Sequence, residues 1–388
     1  MIGGYGVFGS RLIRLLADEE GLTLLVAGRS KSKAEAFCRS VTGRAEVLPA
    51  ALDRDLGGVA AIERLHADIV VDATGPFQDY GEDAYRIAEA ALACGADYID
   101  LADATDFVCG IGRLDRLARD RGRFAISGAS TCPALTAAVV RHLGTDLAAV
   151  TGIEAGIAPS PRVQVGLSVI RALTSYAGRP LRIISNGKET QAVALVDFRR
   201  HVIAPPGPRP LHDRLFSLID VPDLRLLPLA WPKLESIWFG AGTAPAVQHR
   251  TFVLLTWLSN VHVLPSLERL APLLHWMRSV LTWGDDRGGM YVVVDGIRHD
   301  GTSVRRQWDL IAEGYDGPSI PAMAAAAIIR KCLHGRRPDP GARPALREME
   351  YADFEPFFGR KRIVTGIRDL PPDDTRNPAL RSSATGWS

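Results

Sequence analysis

Along the first 145 residues, short apolar runs alternate with stretches in which apolar positions recur every three or four residues. The runs predict buried parallel strands and the stretches amphipathic helices, so the fold class expected is α/β, a Rossmann-type doubly wound sheet. Strands are predicted at Leu22–Ala27, Glu46–Leu48, Ile69–Ala73, Tyr98–Leu101 and Phe124–Ser127. Helices are predicted at Arg11–Ala17, Ala34–Val41, Leu56–His66, Glu82–Cys94, Gly112–Arg121 and Ala134–Leu143. Only Met1, Ile2 and Gly3 precede the first helix and its glycine loop, where a buried strand needs about five residues. The reading therefore expects apolar residues upstream of Met1, the alternative being a short first strand that fills the central sheet position poorly.

From about Val150 the pattern changes to longer β-like runs without regular helical alternation. This predicts a second, α+β domain with a largely antiparallel sheet. Its strands are expected at Gly152–Ile157, Thr190–Val196, Ser236–Ala241, Met290–Ile297 and Ser303–Ile311, and its helices at Val165–Tyr176, Ala246–Leu258 and Leu267–Leu281. After Gly317-Pro318, the stretch Ile320–Lys331 is apolar almost all round, so it predicts a buried helix packed back on the first domain. The expected limits are 1–145 for the nucleotide-binding domain, 146–316 for a substrate or dimerisation domain, and 317–366 for a helix and segment returning to the first. Residues 367–388, in a tail rich in Pro, Asp, Arg and Ser, are expected to be disordered.

Composition narrows the function. With 388 residues, 47% apolar and a formal net charge of +2, the chain suits a soluble two-domain protein. Its basic residues are scattered, without a run interleaved with aromatics, which argues against nucleic acid. Cys38, Cys94, Cys109, Cys132 and Cys332 are odd in number and lack CxxC spacing, which suits the cytoplasm and no zinc site. His142, His201, His249 and His299 show no ligand spacing either, so no metal is assigned. The first residues show no basic stretch followed by an apolar one, so no secretion signal is expected. The most apolar window, Thr251–Met277, is interrupted by Asn260, Pro265, Glu268, Arg269 and Pro272 and cannot span a bilayer as one helix.

Against that background the first residues stand out. Gly4-Tyr5-Gly6-Val7-Phe8-Gly9 is a GxGxxG loop opening an apolar helix: one glycine allows the tight turn, the next the approach of a pyrophosphate, the third close helix–strand packing. The N–H groups of the helix start would receive the phosphates. Following the next predicted strand, Gly28-Arg29-Ser30-Lys31-Ser32-Lys33 stands where such folds read the adenosine ribose, Arg29 being 20 residues beyond Gly9. Cations and hydroxyls there suit a 2′-phosphate, so NADP is expected, bound by Gly4, Gly6, Val7, Phe8, Gly9, Arg29, Ser30 and Lys33. The plainer reading of Lys31 and Lys33 is solvation of a helix start. Thr74, Gly75 and Pro76 end a strand at the crevice and leave room for nicotinamide.

Chemistry has fewer candidates. Tyr80 could donate a proton or simply pack; Asp103 could serve as acid or base, or cap the next turn together with Thr105 and Asp106. Thr131 is expected to N-cap the Ala134–Leu143 helix with Pro133 in its first turn, and Cys132 to be a small buried residue. Arg162, Arg171 and Tyr176 are alternative carboxylate binders or surface residues. Trp231, Trp238, Trp257, Trp276 and Trp283 predict a greasy core, with a lipid-like substrate pocket or a face for a peripheral membrane or a homodimer as the other reading.

Three segments together, Gly3–Gly9, Asp72-Ala73-Thr74-Gly75-Pro76-Phe77-Gln78-Asp79-Tyr80-Gly81 and Asp97-Tyr98-Ile99-Asp100-Leu101-Ala102-Asp103, resemble the saccharopine dehydrogenase-like oxidoreductases. Gly317-Pro318-Ser319-Ile320-Pro321 and Gly341-Ala342-Arg343-Pro344 resemble their C-terminal part. The likeness covers residues 1–145 and 314–366. It implies an NADP-binding domain, a second domain around an antiparallel sheet, and an active site between them for a small-molecule substrate. Many relatives read Gly-Glu where this chain has Ala102-Asp103, an acid shorter by one methylene. The function expected is NADP-dependent hydride transfer to or from a carbonyl, imine or enoyl group, the alternative being a non-catalytic nucleotide-binding or membrane-associated scaffold.

Overall fold

A computed structural model describes residues 1–55, 58–81, 83–162, 176–243, 246–260 and 286–371. In the N-terminal part the apolar runs form five parallel strands, β1 (Thr23–Gly28), β2 (Glu46–Ala51), β3 (Ile69–Asp72), β4 (Asp97–Asp100) and β5 (Phe124–Ser127). β1 pairs with β2, β3 with β4 and β4 with β5, and Ile2 bridges the two groups by pairing with both Ala27 and Asp72. Its N–H donates to Val71 O at 2.9 Å and its carbonyl accepts from Ala73 N–H at 3.0 Å, while Met1 O accepts from Ala27 N–H at 2.9 Å. One buried residue thus occupies the central strand position, and the strand order on either side of it makes a crevice at the switch point, beside the glycine loop.

The second sheet is built from β6 (Leu147–Ala158), β9 (Phe198–Ile203), β10 (Leu211–Leu218), β11 (Ser236–Thr243), β12 (Gly288–Arg298) and β13 (Ser303–Ala312), while β7 (Pro180–Ser185) and β8 (Lys188–Val193) form a separate hairpin. Two later strands, β14 (Gly341–Pro344) and β15 (Ile363–Leu370), complete the two sheets, β14 beside β5 and β15 beside β13. The order β15-β13-β12-β6-β11-β10-β9 is antiparallel except where β11 runs parallel to β6. Aromatic rings lie over glycines across this sheet: a Cβ on Gly156 would come within 2.5 Å of the Tyr291 ring, and one on Gly240 within 2.3 Å of Trp238.

Several expectations need correction. β9 carries Arg199, Arg200 and His201 and β14 is only four residues long, so neither shows an apolar period. The predicted strand at Thr190–Val196 is instead the second arm of the β7–β8 hairpin, ending at Val193. The stretch Gly112–Arg121 is a 3₁₀ turn, Ile111–Leu114, followed by a six-residue helix, Asp115–Asp120. Residues 367–370, expected to be disordered, end β15, where backbone pairing with β13 supplies the order that their polar composition does not suggest. The Ile320–Leu333 helix packs against the Val7–Leu16 helix; Ala322, Ala324, Ala325 and Ala326 are fully buried, and Arg330 pairs with Glu19 at 3.0 Å. Of the tryptophans, Trp238 is core, Trp231 half-buried and Trp257 exposed. The predicted helix at Leu267–Leu281, most of that at Val165–Tyr176, Arg171, Trp276, Trp283 and residues from 372 on lie outside the described residues. Among the described residues no helix is long and apolar enough to cross a membrane.

Candidate active site

The Val7–Leu16 helix starts at Gly6 with no side chain capping it. Its first N–H groups, those of Val7, Phe8 and Gly9, have no carbonyl one turn back to bond. Gly9 lets the helix press on the strand, since a Cβ there would lie 2.3 Å from Gly3 O; a Cβ on Gly4 would lie 3.0 Å from both Met1 O and Val26 Cγ1. A Cβ on Gly6, by contrast, would meet only Gly3, at 3.0 Å from its carbonyl oxygen, so its outer side is open. A bare helix start next to an open glycine is a cradle of the kind a pyrophosphate fills. Tyr5, unremarked in the sequence, links this loop to the end of β1: its hydroxyl accepts the Ser30 N–H at 3.0 Å, and its ring lies against Gly28.

Beyond β1, Arg29, Lys31 and Lys33 are exposed, and none forms an ion pair among the described residues. Ser30 Oγ accepts the Lys33 N–H at 3.3 Å and lies 3.0 Å from Ser32 Oγ, so it N-caps the Lys31–Cys38 helix. Three cations without acids at a helix start leave that corner electropositive.

At the C-terminal end of β3, Asp72 Oδ1 accepts from Thr74 N–H at 3.0 Å and Thr74 Oγ1 at 2.6 Å. The Tyr80 hydroxyl lies 2.6 Å from Thr74 Oγ1, and the Arg54 guanidinium 3.3 Å over the Tyr80 ring. Burial raises the pKa of both Asp72 and Tyr80, and for Tyr80 the neighbouring Asp72 charge adds to it. Tyr80 is thus buried and turned onto Thr74 and Asp72. Thr74, Gly75 and Pro76 follow directly at the crevice, with Gly75 at φ +22°.

After β4, Asp103 reaches solvent, and Gln78 Nε2 donates to its Oδ1 at 3.4 Å. Its pKa is nevertheless raised by the protein packed around it. The capping alternative is overturned: no side chain caps the Thr105–Gly110 helix. Thr105 Oγ1 instead donates to Asp220 Oδ1 at 2.8 Å and Asp106 pairs with Arg225 at 2.6 Å, joining the two domains beside Asp103. Thr131 caps nothing either; it opens a wide π turn, Thr131–Leu135, in which Cys132 has φ −108° and ψ 122°. Cys132 is buried, with its thiol pushed well up by burial and then by the charge of Asp223. Arg162 is exposed and Tyr176 half-buried, near Asp220 and Asp103.

Two acids that the sequence reading passed over organise this region. Asp100, fully buried, takes the N–H groups of Gly128 at 2.7 Å and Ala102 at 3.0 Å on one oxygen, fixing the loops after β4 and β5. Burial pushes it up to about 7. Asp223, at the start of the Asp223–Ala230 helix, is fully buried and likewise pushed up to about 7 by burial. Their only advance sign is an acid in an otherwise apolar run.

The parallel sheet with its phosphate cradle and the second sheet beyond the crevice define a dehydrogenase-type, dinucleotide-binding architecture. Residues 1–126 match the family model described as the saccharopine dehydrogenase NADP binding domain. The fold is similar to apo histidine-tagged saccharopine dehydrogenase (L-Glu forming) from Saccharomyces cerevisiae, with a TM-score of 0.66, 95% of this chain and 99% of that one covered, and 12% identity. A Caenorhabditis elegans protein named "Lipid droplet localized protein" is 26% identical over 134 residues, which are 32% of this chain and 31% of that protein. The chain thus matches less than a third of that relative's length. By sequence, then, its first 126 residues carry a saccharopine dehydrogenase NADP binding domain, and over nearly all its length its fold is similar to that of saccharopine dehydrogenase.

Proposed function

We propose that the protein is an NADP-dependent oxidoreductase acting on a carbonyl, imine or enoyl group in the crevice between its two sheets. The observation that carries this is the bare helix start at Gly6 standing with three acid-free cations, Arg29, Lys31 and Lys33, at the end of the next strand. Gly4, Gly6, Val7, Phe8 and Gly9 would hold the pyrophosphate, Arg29 and Lys33 the 2′-phosphate with Ser30 fixing their helix, and Thr74, Gly75 and Pro76 would flank the nicotinamide. NADP, when bound, supplies the hydride chemistry. Asp103 Oδ1 and Oδ2 are the atoms at which a proton would be held or released, since that acid alone among the candidates combines solvent contact with a raised pKa. Tyr80 acts as a positioning residue, keeping Thr74 at the crevice rather than moving a proton itself.

The same reading takes 1–145 as the cofactor domain, 146–316 as the substrate and dimer domain, and 317–366 as shared between them. The five free cysteines favour the cytoplasm. A membrane-associated scaffold is the second reading, on the name of the C. elegans relative and the exposed Leu254 and Trp257. Titration with NADPH and NADH by tryptophan fluorescence tests the proposal. Micromolar, NADPH-selective binding supports it. No binding of either, with flotation on phosphatidylcholine vesicles, favours the scaffold.

A further inference from the structure

Tyr5 stands between the first two glycines of the GxGxxG loop, where the chain turns from Ile2 into the Val7–Leu16 helix. Its ring can lie on the end of β1 only because residue 28 is glycine: a Cβ on Gly28 would come within 2.5 Å of the ring and 2.7 Å of the hydroxyl oxygen. The ring is half-buried and packs on the core beneath the loop, and a tyrosine has only two side-chain torsions to fix. Its hydroxyl accepts the Ser30 N–H at 3.0 Å. A phenol oxygen that accepts still carries one proton to give, and among the described residues no hydrogen bond takes it. A donor with a set position and no acceptor therefore stands beside Ser30.

The cations of the same corner have charge without such a position. Arg29, Lys31 and Lys33 are exposed and form no ion pair among the described residues, so their long side chains are free to move. Ser30, between them, is held twice, its N–H by Tyr5 and its Oγ by the Lys33 N–H at 3.3 Å. We propose that Tyr5 is the specificity-determining residue of this corner: its hydroxyl, seated on the Ser30 N–H, donates to the ribose 2′-phosphate of NADP, while Arg29 and Lys33 neutralise that phosphate. This rests on the NADP reading and deepens it, by assigning the group that tells a phosphorylated ribose from a plain one. A hydroxyl that donates to a phosphate oxygen makes a charge-assisted bond, about twice as strong as the one it makes to a neutral ribose hydroxyl. Because the ring is already fixed, little freedom is lost when that bond forms. Tyr5 also spans two parts of the site, rising from the loop that would hold the pyrophosphate and reaching the strand end that would hold the ribose.

Calorimetric titration of the full chain and of Tyr5→Phe with NADPH and NADH tests this, alongside urea unfolding of both. Tyr5→Phe keeps the ring over Gly28 and removes only the hydroxyl. It should bind NADPH about 10- to 100-fold more weakly than the wild type, the range for a hydrogen bond to a charged group, with NADH changed far less and unfolding unaltered. Gly28→Ala is the second variant: its methyl group meets the end of a side chain rather than backbone, so it pushes the ring off β1 and should lose the same selectivity with the hydroxyl still present. Unchanged or tighter NADPH binding by Tyr5→Phe overturns the proposal, since the phosphate would then take the Ser30 N–H itself and Tyr5 would only occupy its place. Equal losses for NADPH and NADH overturn it too, making Tyr5 a structural part of the loop. A wild type that binds neither nucleotide removes the cofactor reading and the proposal together, whereas an NADPH-selective wild type matched by Tyr5→Phe removes the proposal alone.

Discussion

Gly9 illustrates how far a single position constrains this site. A methyl group there would sit 2.3 Å from Gly3 O, which is backbone and cannot step aside. Gly9→Ala is therefore expected to destabilise the protein by about 3 kcal/mol in urea unfolding, at the upper end of overpacking costs, and to weaken NADPH together with stability. Arg29→Ala should behave oppositely: exposed and unpaired, it should leave unfolding unchanged while weakening NADPH by about 1–3 kcal/mol and NADH hardly at all. Equal losses for both nucleotides would exclude a 2′-phosphate contact. Asp100 and Asp223 make a third case. Each has its folded pKa raised to about 7, so the native state keeps a proton that the unfolded chain gives up above its ordinary carboxylate pKa of about 4. Their contribution is complete below that value and is lost as pH rises to 7, at about 1.4 kcal/mol per pH unit for each group. Urea unfolding should show stability falling from pH 5 to pH 7, and Asp223→Asn should flatten the fall by one group's slope.

Elements follow the periodicity where packing and propensity agree. The Val7–Leu16 helix buries Leu12, Ile13, Leu15 and Leu16, and the Ile320–Leu333 helix is apolar nearly all round because it is covered nearly all round. Its run of alanines allows the close approach of these two helices. Ala325→Leu should therefore cost about 1–3 kcal/mol by overpacking, seen as a lower denaturation midpoint; an unchanged midpoint would mean that the helices have room between them. Elements that the pattern missed are those whose order comes from a neighbour. β14 is Gly-Ala-Arg-Pro, with little strand propensity, yet its backbone continues the sheet beside β5. The Thr131–Leu135 turn follows the same logic: Thr131 resembles an N-cap in sequence, but the chain winds wide there and Thr131 O is taken by Thr136.

At the scale of the whole molecule, the C-terminal segment ties the two sheets together, with the Ile320–Leu333 helix and β14 on the first and β15 on the second. β15 pairs with all eight residues from Arg305 to Ala312, so removing residues 363–388 leaves β13 as a long uncovered edge. Such a truncated protein is expected to lose soluble yield and cooperative unfolding, measured by chromatography and calorimetry; retention of both would show the strand to be dispensable. Closer to the crevice, Thr105–Asp220 and Asp106–Arg225 join the domains. The second of these is exposed, so Arg225→Ala should cost less than about 1 kcal/mol.

The glycine loop, the alternation of strands and helices, the change of pattern near Val150 and the buried alanine helix were all legible in the amino-acid sequence. Each is a local rule, set by steric freedom at glycine or by the period with which apolar side chains must face a core. Candidate cofactor residues followed from those rules, because phosphate binding uses backbone N–H groups and cations at fixed offsets from a strand end. What only the tertiary structure decided were pairings between residues far apart in the chain: Ile2 bridging two half-sheets, β15 completing the second sheet, Tyr80 turned into a buried network, and Asp223 brought behind Cys132. Burial of a polar group depends on what other segments place around it, and no local pattern of hydrophobic and polar residues encodes that surrounding.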